Sequence, residues 1–238
     1  MIKQSQKDQI AYYDQLWSKR QRMNYLQMRR AIKIFAYVSH IMHGNKRIKV
    51  LDLGCGDGRF TAFLGEFVTT DAIELSEEAV KIAQQKHPHV NFFQGSALEY
   101  PFGKGAYDVV ISQEVVEHIE DQDAYLKVCY EVLKPGGYLI MTTPNKKVFD
   151  HMEGGNWSQQ PVEKILTPKE FRFLISQKFK ILAYDSIILD FGTLGYFKWI
   201  NHRFVIGGFN ALGLKWLRTF IWSKLGFGMH QCILAKKL

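Results

Sequence analysis

Hydrophobic and polar positions along the chain follow two alternating periods. Short apolar runs, typical of buried parallel strands, alternate with segments whose apolar residues recur at helical spacing. The runs predict strands over 48–53, 68–74, 90–95, 107–112, 138–143, 180–189 and 229–236, and the helical segments predict helices over 59–67, 77–86, 121–133 and 167–177. This alternation predicts a doubly wound α/β fold, a seven-stranded, mostly parallel sheet with helices on both faces.

Two segments lie outside this alternation. Residues 1–45 predict N-terminal helices, divided in two by a break near residues 18–23. Residues 190–228 are rich in glycine and aromatic residues, and they are too long for an ordinary loop and too apolar for a linker. We expect a single domain overall. Its core comprises 46–189 and 229–238, and residues 190–228 form a helical cap inserted before the last strand.

The net charge of +8 is unevenly distributed. Residues 1–50 hold eleven Lys or Arg against two Asp or Glu, residues 51–190 hold thirteen against twenty-one, and residues 191–238 hold seven and no acidic residue. Basic flanks around an acidic middle suit an anionic partner or surface. No apolar run reaches the ~18 residues of a membrane span, and the three cysteines form no metal-binding pair. These features predict a cytoplasmic protein.

The strongest chemical signal is a glycine-rich segment directly after the first predicted strand. It contains Gly54, Cys55, Gly56 and Gly58, it is preceded by Asp52, and a predicted helix follows it. Glycines let the backbone turn sharply and approach a ligand closely, and the start of a helix offers unpaired backbone N–H groups. The third glycine comes one residue earlier than in the dinucleotide fingerprint GxGxxG. A glycine turn that binds nothing is the alternative.

This segment resembles motif I of the class I S-adenosylmethionine-dependent methyltransferases. Further motifs extend the resemblance over roughly residues 45–180: Gly95-Ser96-Ala97 stands where the family often has Gly-Asp-Ala, residues 107–112 resemble motif II, and residues 133–137 resemble the turn before the fifth strand. The resemblance implies a Rossmann-like fold, S-adenosyl-L-methionine as cofactor and S-adenosyl-L-homocysteine as product. An N-terminal helix often closes over the cofactor in this family, which implies a lid formed by residues 1–45.

The resemblance also implies which residues bind the cofactor. Glu74, about twenty residues after Gly54, would accept the ribose hydroxyls, and Asp52 would face the amino group, directly or through water. Ser96 replaces the family's aspartate at the adenine, which weakens that contact. The full set of expected cofactor-binding residues is Asp52, Gly54, Cys55, Gly56, Gly58, Glu74, Leu75, Ser96, Ala97, Gln113 and Tyr13.

The segment Glu114-Val115-Val116-Glu117-His118 follows the fourth strand and resembles the EVLEH segment of the ubiquinone-pathway O-methyltransferase branch. If it is helical, its two carboxylates and its histidine share one face. His118 could then serve as a general base, the three side chains could hold a metal ion, or they could be structural. We name His118 and Glu117 as candidate catalytic residues, with His151 as a second candidate base, and expect no bound metal. Residues 157 and 160–163 are expected to line the acceptor pocket.

These features predict an S-adenosylmethionine-dependent methyltransferase that transfers a methyl group by in-line displacement to a small-molecule or lipid-linked acceptor. The favoured acceptor is a hydroxyl of a sugar, a quinone precursor or a secondary metabolite. Two alternatives are an RNA methyltransferase that uses the basic flanks and a non-catalytic S-adenosylmethionine-binding subunit. Nucleic acid is disfavoured because the basic residues form no dense run and no DPPY-type motif follows the fourth strand. The basic, aromatic insertion also predicts peripheral contact with an anionic membrane at its inner face, although such aromatic residues commonly pack into a core.

Overall fold

The fold is described by a computed structural model over residues 4–19, 22–45, 47–153, 160–189 and 191–238, without the side chains of residues 4, 5, 18 and 19. In these ranges the strands are β1 (Lys49–Leu53), β2 (Thr69–Glu74), β3 (Asn91–Gln94), β4 (Tyr107–Gln113), β5 (Leu133–Pro144), β6 (Phe179–Ile187) and β7 (His230–Lys237). The helices are α1 (Gln4–Lys19), α2 (Tyr25–Met42), α3 (Arg59–Gly65), α4 (Glu77–Lys86), α5 (Gln122–Val132), α6 (Lys146–Phe149), α7 (Pro168–Ser176), α8 (Phe197–Ile200), α9 (Arg203–Ala211) and α10 (Lys215–Lys224).

The strands form one sheet in the order β3-β2-β1-β4-β5-β7-β6. Strands β1 to β5 pair in parallel, whereas β7 is antiparallel to both β5 and β6. This arrangement confirms the predicted doubly wound, mostly parallel sheet. The strand order reverses between β1 and β4, and ligands of open α/β sheets bind beyond the carboxyl ends of the strands at such a reversal. The fold therefore places the candidate site after β1 and β4.

Both faces of the sheet are covered, which explains why the strands read as nearly continuous apolar runs. Val50 packs with Ile34 of α2 and Leu64 of α3 on one face. The next residue, Leu51, packs in the opposite cluster with Tyr125 of α5. Successive side chains of a strand point to opposite faces, so neither position can be polar when both faces are buried.

Strand β5 begins five residues earlier than predicted. Leu133 already pairs with Tyr107, and the pairing shifts register between Tyr107 and Val109. Gly136 has a φ of 75°. At Gly137 a Cβ would come within 3.0 Å of two backbone oxygens. The Pro-Gly-Gly segment is therefore an irregularity inside the strand and not a stop before it.

The insertion connects two neighbouring antiparallel strands. Ile187 of β6 pairs with His230 of β7, and the chain between them forms α8, α9 and α10. Phe197 of α8 is fully buried with Val148 and Met229. Because Phe197 reaches the core while most of the insertion stays outside it, α8 anchors this segment to the sheet.

Candidate active site

A cavity of about 640 Å³ opens at the carboxyl ends of β1, β2, β3 and β4. This volume lies within the range of ~300–1,000 Å³ that small-molecule sites occupy. The wall comes from the loops after these strands and from α1 and α2, which contribute Gln9, Tyr13, Trp17 and Arg30 among others. Of the expected cofactor-binding residues, Gly54, Cys55, Gly56, Glu74, Leu75, Ser96, Ala97, Gln113 and Tyr13 line it.

The two glycines of the loop that line the cavity leave no room for a side chain. Gly54 and Gly56 have φ values of 78° and 57°, in the left-handed region that favours glycine. A Cβ at Gly54 would overlap the Val115 side chain, and a Cβ at Gly56 would overlap the Trp17 indole. The backbone of the loop is thus pressed between α1 and the segment after β4.

Two residues expected to bind the cofactor do not line the cavity. Gly58 starts α3 with a φ of 74°, and a Cβ there would come within 2.6 Å of the Phe92 ring, so this glycine serves helix packing. Asp52 is buried beneath the loop, where the hydroxyl of Thr61 donates to its Oδ2 over 2.6 Å. Burial raises the pKa of Asp52 to about 6. The structure therefore supports packing at Gly58 and internal hydrogen bonding at Asp52, in place of direct contact.

Glu74 ends β2 with its carboxylate held in a fixed orientation. Oε2 accepts from the backbone N–H of Gly56 (2.9 Å), and Oε1 accepts from the N–H groups of Leu75 (2.8 Å) and Ser76 (3.0 Å). Burial raises its pKa, whereas these three hydrogen bonds oppose that effect. The carboxylate lines the cavity and links the glycine loop to the end of β2, in the position where a ligand's diol would be recognised.

Two polar side chains face the cavity from the neighbouring strand ends. The buried Gln113 Oε1 has no hydrogen-bond partner among the described residues. A buried carbonyl without a partner costs about 1–3 kcal/mol, which a donor on a ligand would offset. Ser96 follows β3, and its Oγ accepts from the backbone N–H of Leu98 over 3.2 Å.

The segment after β4 is not an α-helix, so the expected shared face of its carboxylates and histidine does not form. Glu114 has a φ of 58°, and residues Val116–His118 form a single 3-10 turn. Within the described ranges, no group of three or more His, Cys, Asp or Glu side chains is arranged to hold a metal ion. The metal interpretation of this segment therefore gains no support.

Glu114 belongs to a buried charged cluster. Its Oε2 lies 2.7 Å from Nδ1 of His230 and 3.7 Å from the Arg30 guanidinium, and Oε1 accepts from the Thr142 hydroxyl over 2.8 Å. Burial alone would raise the pKa of Glu114, but the charges of Arg30 and His230 hold it at about 2. The cluster joins α2, the end of β4 and β7, and it fixes the backbone that leads to the next two residues of interest.

Glu117 and His118 both line the cavity and are both almost fully buried. The Thr143 hydroxyl donates to Glu117 Oε2 over 3.0 Å, and burial together with the nearby Glu114 charge raises the pKa of Glu117 well above its usual value. Burial lowers the pKa of His118. Burial therefore favours the protonated form of Glu117 and the neutral imidazole form of His118.

The hydrogen bond of His118 defines its tautomer. Nδ1 lies 3.0 Å from the carbonyl oxygen of Val162. A carbonyl only accepts, so Nδ1 carries the proton and Nε2 carries the lone pair. Nε2 is 3.8 Å from Glu117 Oε1, beyond hydrogen-bonding distance.

The other expected acceptor-side residues divide into three groups. Gln160, Val162 and Glu163 line the cavity as expected, whereas Trp157 lies outside the described residues. His151 is not among the described lining residues, and its Nδ1 bonds the Lys147 carbonyl over 2.9 Å while its ring packs on Tyr196. No described residue of the insertion lines the cavity either, so the insertion does not cover it as a cap.

Helix α1 closes the cavity through contacts that the sequence did not reveal. The Ser76 hydroxyl donates to Asp14 over 2.5 Å, and the side chain of Gln9 donates to the carbonyl oxygen of His118 over 2.8 Å. The Tyr13 hydroxyl donates to Gln160 over 2.7 Å. The helix thus spans the opening from α4 to the segment after β4, and its role as a lid stays a prediction.

The glycine loop and the fixed glutamate lie at the strand-order reversal, where open α/β sheets bind their ligands. The Methyltransferase domain family matches residues 51–141. A mitochondrial ubiquinone biosynthesis O-methyltransferase of Rattus norvegicus is 35% identical over 125 residues, covering 48% of this chain and 35% of the relative. The chain therefore aligns with only about a third of that protein's length.

Solved structures share the fold across nearly the whole chain. N-methyltransferase NodS of Bradyrhizobium japonicum, in complex with S-adenosyl-L-homocysteine, has a TM-score of 0.64 at 12% identity and covers 97% of both chains. The [4+2]-cyclase SpnF also has a TM-score of 0.64, at 17% identity, and covers 98% of this chain and 96% of its own. Residues 51–141 of the chain are therefore similar to a methyltransferase domain, and the fold is shared with these solved structures.

Proposed function

We propose that the protein binds S-adenosyl-L-methionine in this cavity and transfers its methyl group to a hydroxyl of a small or lipid-linked acceptor. The observation that supports this most directly is the Glu74 carboxylate, fixed by three backbone N–H groups against the glycine loop. A preoriented carboxylate at the end of the second strand of such a sheet suits a ribose diol. The ubiquinone biosynthesis relative, named as an O-methyltransferase, supports a hydroxyl acceptor.

The residues present fit this cofactor. Glu74 would hold the ribose hydroxyls, and Ser96 and Ala97 would border the adenine. Gln113 Oε1, which has no partner among the described residues, would accept from the amino group of the methionine part. When bound, S-adenosylmethionine supplies a methyl group already activated on a sulfonium. The protein then has to align the acceptor and exclude water.

His118 is suited to remove the proton from the acceptor hydroxyl. Its Nδ1–H is held by Val162, its lowered pKa keeps it neutral, and its Nε2 has the lone pair that a base requires. Glu117, whose pKa burial raises, lines the pocket beside His118. General base catalysis of this type contributes about 10²–10⁴-fold to the rate.

The α1 helix would exclude water from the reacting groups. Tyr13 reaches from α1 to Gln160, and its ring lies edge-on to His118, with ring centres 6.4 Å apart. Opening of α1 would admit both substrates, and its closure would seal the site around His118.

The experiment has a binding arm and a transfer arm. Calorimetry with S-adenosylmethionine and S-adenosylhomocysteine measures cofactor binding, and methyl-labelled cofactor with cell extract, followed by mass spectrometry, identifies the methylated product. In His118→Ala we expect transfer to fall about 10²–10⁴-fold while cofactor affinity stays within about twofold. His151→Ala is the matched control and should retain transfer. Absence of cofactor binding would refute the proposal, and wild-type turnover in His118→Ala would refute the role of the base.

A further inference from the structure

The insertion presents an unusual number of large apolar side chains to solvent. Six of them between residues 199 and 225 are more than half exposed: Trp199 (76%), Phe204 (73%), Leu212 (73%), Trp216 (67%), Phe220 (58%) and Leu225 (55%). We call this set, together with the exposed Lys198, Arg203 and Lys215, the aromatic-basic face. Concentrated exposure of this kind marks an interaction surface, whereas single exposed apolar residues do not.

The spacing of these residues gathers them into stripes. Phe204, Gly208 and Leu212 are four residues apart along α9 and its end, and none of the residues of α9 is buried. Trp216 and Phe220 are four residues apart on α10. Residues four apart lie on the same side of a helix. Gly213, between the helices, borders the same surface depression as Trp216 and Phe220, so the two stripes adjoin at this turn.

The charge of this face has one sign. Residues 191–238 contain seven Lys or Arg and no Asp or Glu. Lys198, Arg203 and Lys215 are exposed, and each directly precedes an exposed aromatic residue in the chain. The Arg203 guanidinium lies 5.1 Å from the Phe204 ring centre. Such a surface is complementary to an anionic partner with an apolar layer beneath its charges.

We propose that the aromatic-basic face docks on the surface of an anionic lipid bilayer. Trp and Phe favour the boundary between headgroups and acyl chains, and Lys and Arg keep their charges at the headgroups. Among the described helices, none is both long and apolar enough to cross a bilayer, so the contact is peripheral. A second copy of the chain fits less well, because a symmetric contact would oppose like charges. Asp185 borders the depression at Trp216 and Phe220, but it already pairs with Lys33 and Lys224.

The face is rigidly connected to the core. Asp185 of β6 accepts from Lys33 of α2 (2.6 Å), Tyr37 of α2 (2.6 Å) and Lys224 of α10 (2.7 Å). The side chain of Asn145 donates to the carbonyl oxygens of Gly226 and Gly228, directly beside the cavity-lining Pro144. Docking would therefore hold the methyltransferase core beside the bilayer, an arrangement that would suit a lipid-linked acceptor if the proposed function holds.

The test is co-sedimentation of the full chain with phosphatidylcholine vesicles, with and without phosphatidylglycerol. We expect binding only when the anionic lipid is present, with a loss at high salt. Lys198→Glu/Arg203→Glu/Lys215→Glu should weaken binding about tenfold or more, and Phe204→Ser/Trp216→Ser should do the same. The matched controls are Lys86→Glu/Lys104→Glu/Lys127→Glu and Phe173→Ser, which alter comparably exposed residues elsewhere and should bind like the wild type.

Several outcomes would overturn the proposal. These are equal binding to both vesicle types, no binding to either, or an equal loss in the control variants. The surface would be assigned to self-association if analytical ultracentrifugation shows a dimer that is lost only in the face variants. It would be assigned to nucleic acid if this face shows salt-dependent binding of RNA in place of vesicles. Calorimetry with S-adenosylmethionine on the same variants separates this result from the proposed function, because the face lies outside the cavity.

Discussion

Replacement of Gly56 by alanine tests whether the glycine loop is a ligand cradle or only a turn. Two costs are expected. The φ of 57° is unfavourable for alanine by about 1–2 kcal/mol. The added methyl would also overlap the Trp17 indole, and relieving that overlap requires a shift on the order of 1 Å or a strain of ~1–3 kcal/mol.

A second glycine separates these two costs. Gly105 has a similar φ of 61°, but a Cβ there would meet only the Cα of Lys134 at 4.0 Å. Gly105→Ala should therefore lower the free energy of unfolding by the backbone cost alone, about 1–2 kcal/mol, and leave cofactor binding unchanged. Gly56→Ala should lose more stability and at least tenfold in affinity for S-adenosylmethionine, because both the loop and α1 must move where the cofactor is held.

The assays are chemical denaturation and calorimetric titration of the two variants, together with Trp17→Ala and the double variant Gly56→Ala/Trp17→Ala. With the indole removed, the steric part of the Gly56→Ala cost should vanish, which gives a coupling free energy of about 1–3 kcal/mol. If Gly56→Ala binds the cofactor as tightly as the wild type, the loop is not a cradle and the reasoning fails.

Three further changes probe buried carboxylates. Glu74→Gln replaces a carboxylate that accepts from three backbone N–H groups with an amide that is partly a donor. Calorimetry should then show at least tenfold weaker cofactor binding, and denaturation should show a free energy of unfolding lower by about 1–3 kcal/mol. Unchanged affinity would contradict the assignment of Glu74 to the ribose diol. The pKa of Asp52 in the folded protein, about 6, lies above its unfolded value, so its contribution to stability is complete below about pH 4 and is lost as pH rises through 6. The free energy of unfolding of Asp52→Asn should therefore rise relative to that of the wild type by up to about 3 kcal/mol between pH 4 and 7.5, with unchanged cofactor affinity. A difference between the two proteins that does not change with pH would refute this. Burial opposes ionisation of Asp185, but Lys224, Lys33 and Tyr37 lower its pKa to about 2, so its contribution is present above about pH 4 and lost as pH falls toward 2. In pH-dependent denaturation, Asp185→Asn should cost about 2–3 kcal/mol at pH 7, about half of that near pH 3 and little near pH 2.

The parts of the fold that follow local rules could be predicted from sequence. The apolar strands and the glycine turn depend on residues close together in the chain. The capping box at Thr167 and Glu170, which starts the helix predicted over 167–177, depends on two residues three positions apart. Glu74 was identified because its distance from the turn reflects one β-α-β unit.

Contacts between distant segments could not be anticipated in the same way. The sequence gives no sign that Trp17 covers Gly56 or that Asp14 bonds Ser76, because α1 has no fixed spacing to the core. The cluster of Arg30, Glu114 and His230 spans two hundred residues. Glu114, which these contacts hold, has a φ of 58° where a helix was considered.

Sequence spacing also misjudged the basic, aromatic insertion. Its length and apolar content correctly excluded an ordinary loop, but these properties do not show which side of the sheet a segment covers. Trp216 and Phe220 are exposed, and the sequence alone does not show whether such residues contact a substrate, a bilayer or a partner protein.

The pairing of Ile187 with His230 means that the two ends of the insertion meet across a single antiparallel ladder. The insertion is therefore a long connection between two strands of a β-hairpin. The entropic cost of closing a loop grows only slowly with its length, so a long connection costs little more than a short one. Such a connection can be exchanged for a short turn while both strands keep their places in the sheet. Evolution or an engineer could therefore alter the surface that the insertion presents without changing the residues that line the cavity, although both lie at the same edge of the sheet.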